Sequence, residues 1–439
     1  MSKHNHRIVA SLDVGNGYLK AQLQTRTAGS PLAGTSDLVD LPSSVAVLTR
    51  PNQLPLADDE ALQVLSAEPT GTDGFYNQLD ASFLTNLVPD HYRRLFGQRS
   101  LAADGALDSF DVVSHISKAR QPLAKALVLG LLTAKALRDH VRVEDKLPAN
   151  ELVVSARLAL ALPINEFMHH REAFAAEFTG HDHLVVIENF STKISVRIHI
   201  EDVQVLAEGA SAQYAIIRLG EPRMEVLLAE VASNDPETAE QLEGVTGADI
   251  LAATNTVGID IGEGTTDFPV FTNGRFNPDA SMTLVKGWGT VLESTLRSMA
   301  DQGIETGFSN RRELAEFLHR EPSKLKRGFH ARIKQLVDEE ARFFAEEVAE
   351  KLAVVLRVVG ATTEVGYVYG GGAGPLREVL RPILLAKVAQ MNSLGSFPVL
   401  YLDAAYSRHL NREGLFIAAS TLADRAGWIV DGTAGEVAA

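Results

Sequence analysis

Residues 8–20, IVASLDVGNGYLK, and residues 256–271, TVGIDIGEGTTDFPVF, repeat one arrangement. An apolar run ends in an aspartate, two glycines follow at alternate positions, and the chain returns with polar–apolar alternation. Both read D-x-G-x-G, with Asp13 after Leu12 and Asp260 after Ile259. The alternation predicts a β-hairpin each time. Glycines at alternate turn positions let backbone N–H groups converge with no Cβ in the way, which makes a nest for phosphate oxygens. An aspartate at the mouth of such a nest repels phosphate unless a divalent cation stands between them. Two such turns therefore suit a nucleotide carrying Mg²⁺, bound through carboxylates and water. Lys20 adds a point charge for the phosphates. One hairpin alone has the letters of an ordinary Asp-Gly turn. The matched pair predicts two α/β halves of common plan with a cleft between them.

A third stretch, YVYGGGAGPL at 367–376, reads as a strand running into glycines and then a helix, where backbone comes close to a ligand. It is neither a G-x-G-x-x-G dinucleotide fingerprint nor a G-x-x-x-x-G-K-[ST] loop, which disfavours those nucleotide folds. With 439 residues the chain exceeds what one hydrophobic core usually serves, so two lobes are expected. A net charge of −15 argues against a broad nucleic-acid surface. The basic stretch HREPSKLKRGFHARIK at 319–334 reads more plainly as a solvated helix face. There is no cysteine, which excludes disulfides, thiolate metal sites and cysteine nucleophiles and fits a reducing cytoplasm. No signal peptide and no membrane span is expected.

Along the chain, residues 29–60 read as loops around a short strand SSVAVL, and PTGTDGFYN reads as an exposed loop. A buried helix is expected over 121–140, a strand ending at Pro163, and a helix closing on Gly180. Two or three strands follow before residue 208. In the second half, a helix is expected near KGWGTVLESTLRSMA, a strongly helical region over 311–359, a strand running into Gly370, a helix from about Pro375, a last strand PVLYLDAAY and a final helix over 412–424.

These motifs resemble those of the actin-like ATPase superfamily, and within it the bacterial ParM/StbA-type actins that segregate plasmids. Asp13 to Lys20 looks like the first phosphate motif, Asp260 to Asp267 the second, and Gly370 to Gly374 the adenosine motif. DLPSSVAV (40–47), LALALPINEF (158–167), VQVLAEGASAQYA (203–215) and DAAYSRHLNREGLF (403–416) extend the likeness in family order. The resemblance implies an α/β fold: the two-lobed actin-like, ribonuclease H-like duplicated ATPase with a central nucleotide cleft. Lobe I would span 1–207, with a variable subdomain at about 35–115, and be completed by a C-terminal helix at about 408–430. Lobe II would span 208–407, with a helical subdomain at about 300–360.

The resemblance also implies roles. Asp13 and Asp260 would hold Mg²⁺ through water. Gly15, Asn16, Gly17, Lys20, Gly262, Glu263, Gly264 and Thr265 would bind the phosphates of ATP or GTP, and Gly370, Gly371, Gly372 and Ala373 the nucleoside. Glu208 would orient the attacking water; alone it reads as a surface acid in an EG turn. Glu263 is a candidate for metal-bound water. Lys324, Lys326 and Arg327 are candidates for adenine contact. Residues 221–255 look like a surface insertion relative to the family. Trp288 is expected to pack beside the cleft, and His169–His170 and the HDH at 181–183 to be solvated rather than metal-bound. The implied activity is ATP hydrolysis coupled to a self-assembled filament that moves plasmid DNA through an adaptor protein, without direct nucleic-acid or membrane contact. The alternatives are a small-molecule kinase, a chaperone-like ATPase or a cytoskeletal actin homologue with another cargo.

Overall fold

The computed structural model describes residues 5–49, 58–69, 71, 73–103, 106–110, 117–234, 239–240, 242–359, 362–391, 397–402 and 404–429. Two compact units emerge. One holds the residues up to Leu162, Glu166–Ala207 and those from Asn411 on; the other holds Pro163–Asn165 and Glu208–Leu410.

The first unit is built on strands β1 (Asn5–Val14), β2 (Tyr18–Thr25), β3 (Ser36–Pro42), β4 (Ser44–Leu48), β5 (Asp80–Leu84), β6 (Arg93–Phe96), β7 (Ala106–Ser109), β8 (Leu152–Leu162), β9 (Asp182–Ile187) and β10 (Ile194–Ala207). They form one sheet in the order β3-β2-β1-β8-β10-β9-β5-β6-β4-β7. The pairs β1·β8 and β8·β10 are parallel. Buried at nearly every position, β8 has the near-continuous apolar sequence LVVSARLALAL of a strand covered on both faces. The expected buried helix runs Pro122–Glu144, with its proline in the first turn, where a missing N–H costs nothing. Leu415, Ala419, Ala423 and Trp428 of the C-terminal segment pack on Val9, Ala159 and Ala161 of the sheet. Arg7 and Arg157 both lie over the Trp428 ring, 5.4 and 5.3 Å from its centre. Arg26 Nη1 donates to Asp424 Oδ1 (3.0 Å) and to Trp428 O (2.9 Å), which ties the chain's end to β2.

The second unit is built on β11 (Thr256–Ile261), β12 (Thr266–Phe268), β13 (Val270–Thr272), β14 (Arg275–Phe276), β15 (Met282–Leu284), β16 (Val365–Tyr369) and β17 (Val399–Tyr401). β11 pairs antiparallel with β12 and β13 and parallel with β16, which is parallel to β17. The plan of the first unit thus recurs: a D-x-G-x-G hairpin whose first strand continues into parallel neighbours. Helices Trp288–Asp301, Arg327–Val359 and Ala373–Met391 bury Val291, Leu336, Phe344, Val348, Leu376 and Leu384 in one core with Ile259, Ile261 and Val368.

Three local expectations change. Residues 221–252 are not simply a surface insertion: helices Glu221–Asn234 and Gly247–Ala252 bury Met224, Leu227, Val231 and Ile250 against Tyr367, Tyr369 and Leu400. Residues 235–238 and 241 of that stretch lie outside the described residues. PTGTDGFYN is not wholly an exposed loop, because Phe75–Gln78 is a short helix with Phe75 and Tyr76 buried; its residues 70 and 72 lie outside the description. The helical region 311–359 is broken. Helix Arg311–His319 ends before Pro322, which disfavours helix in the preceding residue, and the chain restarts through a 3₁₀ turn at Lys324–Lys326. Asp403, which opens one family-like stretch, is outside the description. Among the described residues no helix is long and apolar enough to cross a membrane.

Candidate nucleotide-binding turns

The first turn joins β1 to β2. Gly15 N donates to both Asp13 O and Tyr18 O at 3.1 Å, closing the loop tightly. A Cβ at Gly15 would meet Tyr18 O at 2.7 Å, so the turn itself demands glycine there. Asp13 pairs across the strands with Lys20, and Lys20 with Asp40 on β3, so a lysine stands between two carboxylates in one cross-strand row. Lys20 Nζ is 3.5 Å from Asp13 Oδ2. A residue outside the three glycine-rich motifs joins this group. Arg412, 7% exposed, lies in the field of Asp40 and Asp13. Burial lowers its pKa, and Glu413, Asp40 and Asp13 oppose that shift. Among the described residues its Nε has no hydrogen-bond partner. It lies within the family-like stretch 403–416, where nothing local marks it for this role, and it arrives on the C-terminal helix Leu410–Arg425.

The second turn joins β11 to β12. Gly262 N donates to Thr265 O (2.8 Å), while Gly262 O and Glu263 O accept from Trp288 N (2.9 Å) and Gly289 N (2.8 Å). The turn carbonyls thereby satisfy N–H groups at the start of helix Trp288–Asp301, groups a helix cannot satisfy internally. Trp288 packs against the core of the second unit. Glu263 is held by Arg311, whose Nε lies 3.0 Å from its Oε1.

Asp260 and Asp267 are paired across β11 and β12, and both are buried. Glu208, 8% exposed, follows β10 and precedes Gly209, whose φ is +75°. Burial pushes the Asp267 carboxyl well above its ordinary range, and the charges of Glu208 and Asp260 push it further. Thr283 Oγ1 (2.6 Å) and Ile164 N (3.2 Å) donate to its Oδ1 and oppose that shift. Three acidic side chains thus act on one another, and positive charge brought there relieves the repulsion. Among the described residues no set of three His, Asp or Glu side chains is placed to ligate a metal directly.

The glycine cluster after β16 closes on the same strand. Gly370 has φ +95°, and a Cβ there would collide with the Asp260 carboxylate and the Ile261 backbone. Gly372 N donates to Ile261 O (2.8 Å), and a Cβ at Gly372 would meet Ile261 Cγ2 at 2.8 Å and Trp288 Cβ at 2.9 Å. Gly371 is different: it is exposed, and among the described residues nothing comes closer to a Cβ built there than Arg408 Cβ at 4.0 Å. The fold itself requires Gly370 and Gly372. At Gly371 the fold makes no such demand. Ala373 opens the following helix and its O accepts from Tyr401 OH at 3.3 Å.

Asp13, Gly15, Asn16, Gly17 and Lys20 thus gather in the first unit. Glu208, Asp260, Gly262, Glu263, Gly264, Thr265 and Gly370–Ala373 belong to the second. Lys324, Lys326 and Arg327 are exposed. His183, one of the two histidines in HDH, is buried rather than solvated, with Nδ1 2.8 Å from Thr85 Oγ1 and Nε2 3.0 Å from Phe178 O.

Residues 11–210 match the family of actin-like proteins, N-terminal domain. The match spans the first turn and reaches Glu208. The chain has an actin-like fold. Solved actin-like structures align with nearly all of it. Alp7A is 16% identical with a TM-score of 0.61, covering 96% of this chain and 98% of that one. Ta0583, an archaeal actin homologue, is 13% identical with a TM-score of 0.54, covering 94% and 99%. Bacillus thuringiensis ParM with ATP is 15% identical with a TM-score of 0.52, covering 95% and 99%. No curated protein matches the chain. The actin-like fold accounts for the recurrence of one hairpin-plus-parallel-strand plan in both units.

Proposed function

We propose that the chain is an ATPase that assembles into filaments with ATP and weakens them by hydrolysis, and that its cargo is plasmid DNA held by a separate adaptor protein. The observation that carries the reading is the pair of D-x-G-x-G turns, each with a buried aspartate at its strand end, the second within the field of Glu208 and Asp267. Backbone N–H groups around Gly15–Gly17 and Gly262–Thr265 would grip phosphate oxygens, and Lys20 would exchange its Asp13 partner for phosphate. Asp13 and Asp260 would hold Mg²⁺ through water, and the ion would supply neutralisation of phosphate charge. Glu208 would align a water with the terminal phosphate and accept its proton. Gly371 would let the nucleoside approach the backbone. The net charge of −15 supports leaving DNA to an adaptor.

Light scattering of the purified protein after adding Mg²⁺ and ATP, with pelleting as a check, tests this reading. A rise that later decays, absent with ADP and in Asp260→Ala, is expected. GTP in parallel reads base preference. A flat trace with measurable ATP turnover would redirect the reading to a kinase of the same fold.

A further inference from the structure

We propose that Arg311 is a positioning residue that keeps the second turn receptive to phosphate by neutralising Glu263; this rests on the nucleotide reading above. Glu263 stands between Gly262 and Gly264, inside the turn whose N–H groups would meet an anion. A carboxylate in that turn works against that purpose, because a nest binds anions only while its surroundings are not negative. The structure supplies a counter-charge from elsewhere in the unit. Arg311 Nε lies 3.0 Å from Glu263 Oε1, and its Nη1 bonds Glu293 on helix Trp288–Asp301.

Each partner in this bridge is fixed from a different direction. Arg311 opens helix Arg311–His319, whose N-cap Asn310 accepts from Glu313 N at 3.1 Å. The Glu263 carbonyl accepts from Gly289 N at 2.8 Å. A Cβ at Gly289 would meet Glu263 Oε1 at 2.8 Å, so that glycine makes room for the carboxylate. Arg311 reaches its two acids through different nitrogens of one planar fork, a geometry that a lysine ammonium reproduces only in part. Exposed ion pairs contribute little to folding, and all three side chains are about a quarter to two-fifths exposed. The effect of losing Arg311 therefore falls on anion binding rather than on stability.

The test is a double-mutant cycle on the full chain: wild type, Arg311→Gln, Glu263→Gln and the double variant, each titrated with MgATP by calorimetry, with MgGTP in parallel and melting temperatures recorded. Arg311→Gln is expected to weaken MgATP binding by about tenfold with its melting temperature within about 2 °C of wild type. Adding Glu263→Gln is expected to recover most of the lost affinity, because the repelling carboxylate is gone. Arg311→Lys, expected to fall between wild type and Arg311→Gln, serves if the glutamine variant does not fold. Unchanged affinity in Arg311→Gln overturns the proposal, as does a double variant as weak as the single. Wild type that binds neither nucleotide overturns the functional reading itself, which is a distinguishable result.

Discussion

Asp267 shows how burial and neighbouring charge set the behaviour of one carboxyl. Its folded pKa lies above its unfolded one, so this group's contribution to stability is present at low pH and is lost as pH rises through the folded value. Asp267→Asn keeps an oxygen for Thr283 and Ile164 and cannot ionise. In the presence of EDTA it should melt about 2–4 °C above wild type near pH 8, the gain shrinking toward zero as pH falls into the ordinary carboxylate range. Calorimetric melts at several pH values check the trend. Glycine positions separate in the same way. Gly370→Ala, strained at φ +95° and crowded by Asp260, should lose about 1–3 kcal/mol or more of stability by denaturant unfolding. Gly371→Val should melt close to wild type yet bind MgATP more weakly, read by the same calorimetry. Glu208→Gln should slow phosphate release about a hundredfold or more with MgATP affinity changed little, measured in single-turnover assays.

At the scale of elements, the segment 221–252 belongs to the core of the second unit rather than to its rim. Met224 is fully buried and packs with Leu227, Val231, Ile250 and Tyr367, so Met224→Ala should cost about 2–5 kcal/mol. The short helix Gly247–Ala252 begins with a reciprocal cap: Thr246 Oγ1 accepts from Asp249 N (3.3 Å), and Asp249 Oδ2 accepts from Thr246 N (2.9 Å). Loss of that cap in Thr246→Ala should cost about 1 kcal/mol, visible as a shifted urea midpoint with an unchanged slope. A larger loss at Met224 than at Thr246 is what separates a core element from a surface insertion.

At the scale of the molecule, the first unit is closed by residues far away in sequence. Arg7 and Arg157 both lie over the Trp428 ring, and Arg26 bonds the Trp428 carbonyl and Asp424. A fragment ending at residue 207 lacks these partners and leaves Val9, Ala159 and Ala161 uncovered. It should show no cooperative melt, and Trp428→Ala in the full chain should lower stability by about 3–5 kcal/mol. Circular dichroism melts of the fragment and the variant check both.

The sequence alone determined what repeats locally. Alternating apolar positions specified the two hairpins, continuous apolar runs specified β8, and proline and glycine marked the ends of the helices Pro122–Glu144 and Ile164–Phe178, because these signals act within a few residues. It also singled out Asp13, Asp260 and the Gly370 cluster as one kind of chemistry. Tertiary structure alone decided that Asp267 shares the field of Glu208 and Asp260, that Arg311 holds Glu263, that Arg412 joins Asp13 and Asp40, and that 221–252 is core. Those pairings bring together residues distant in sequence. Burial and charge depend on what folding places nearby, and no local pattern of letters encodes that.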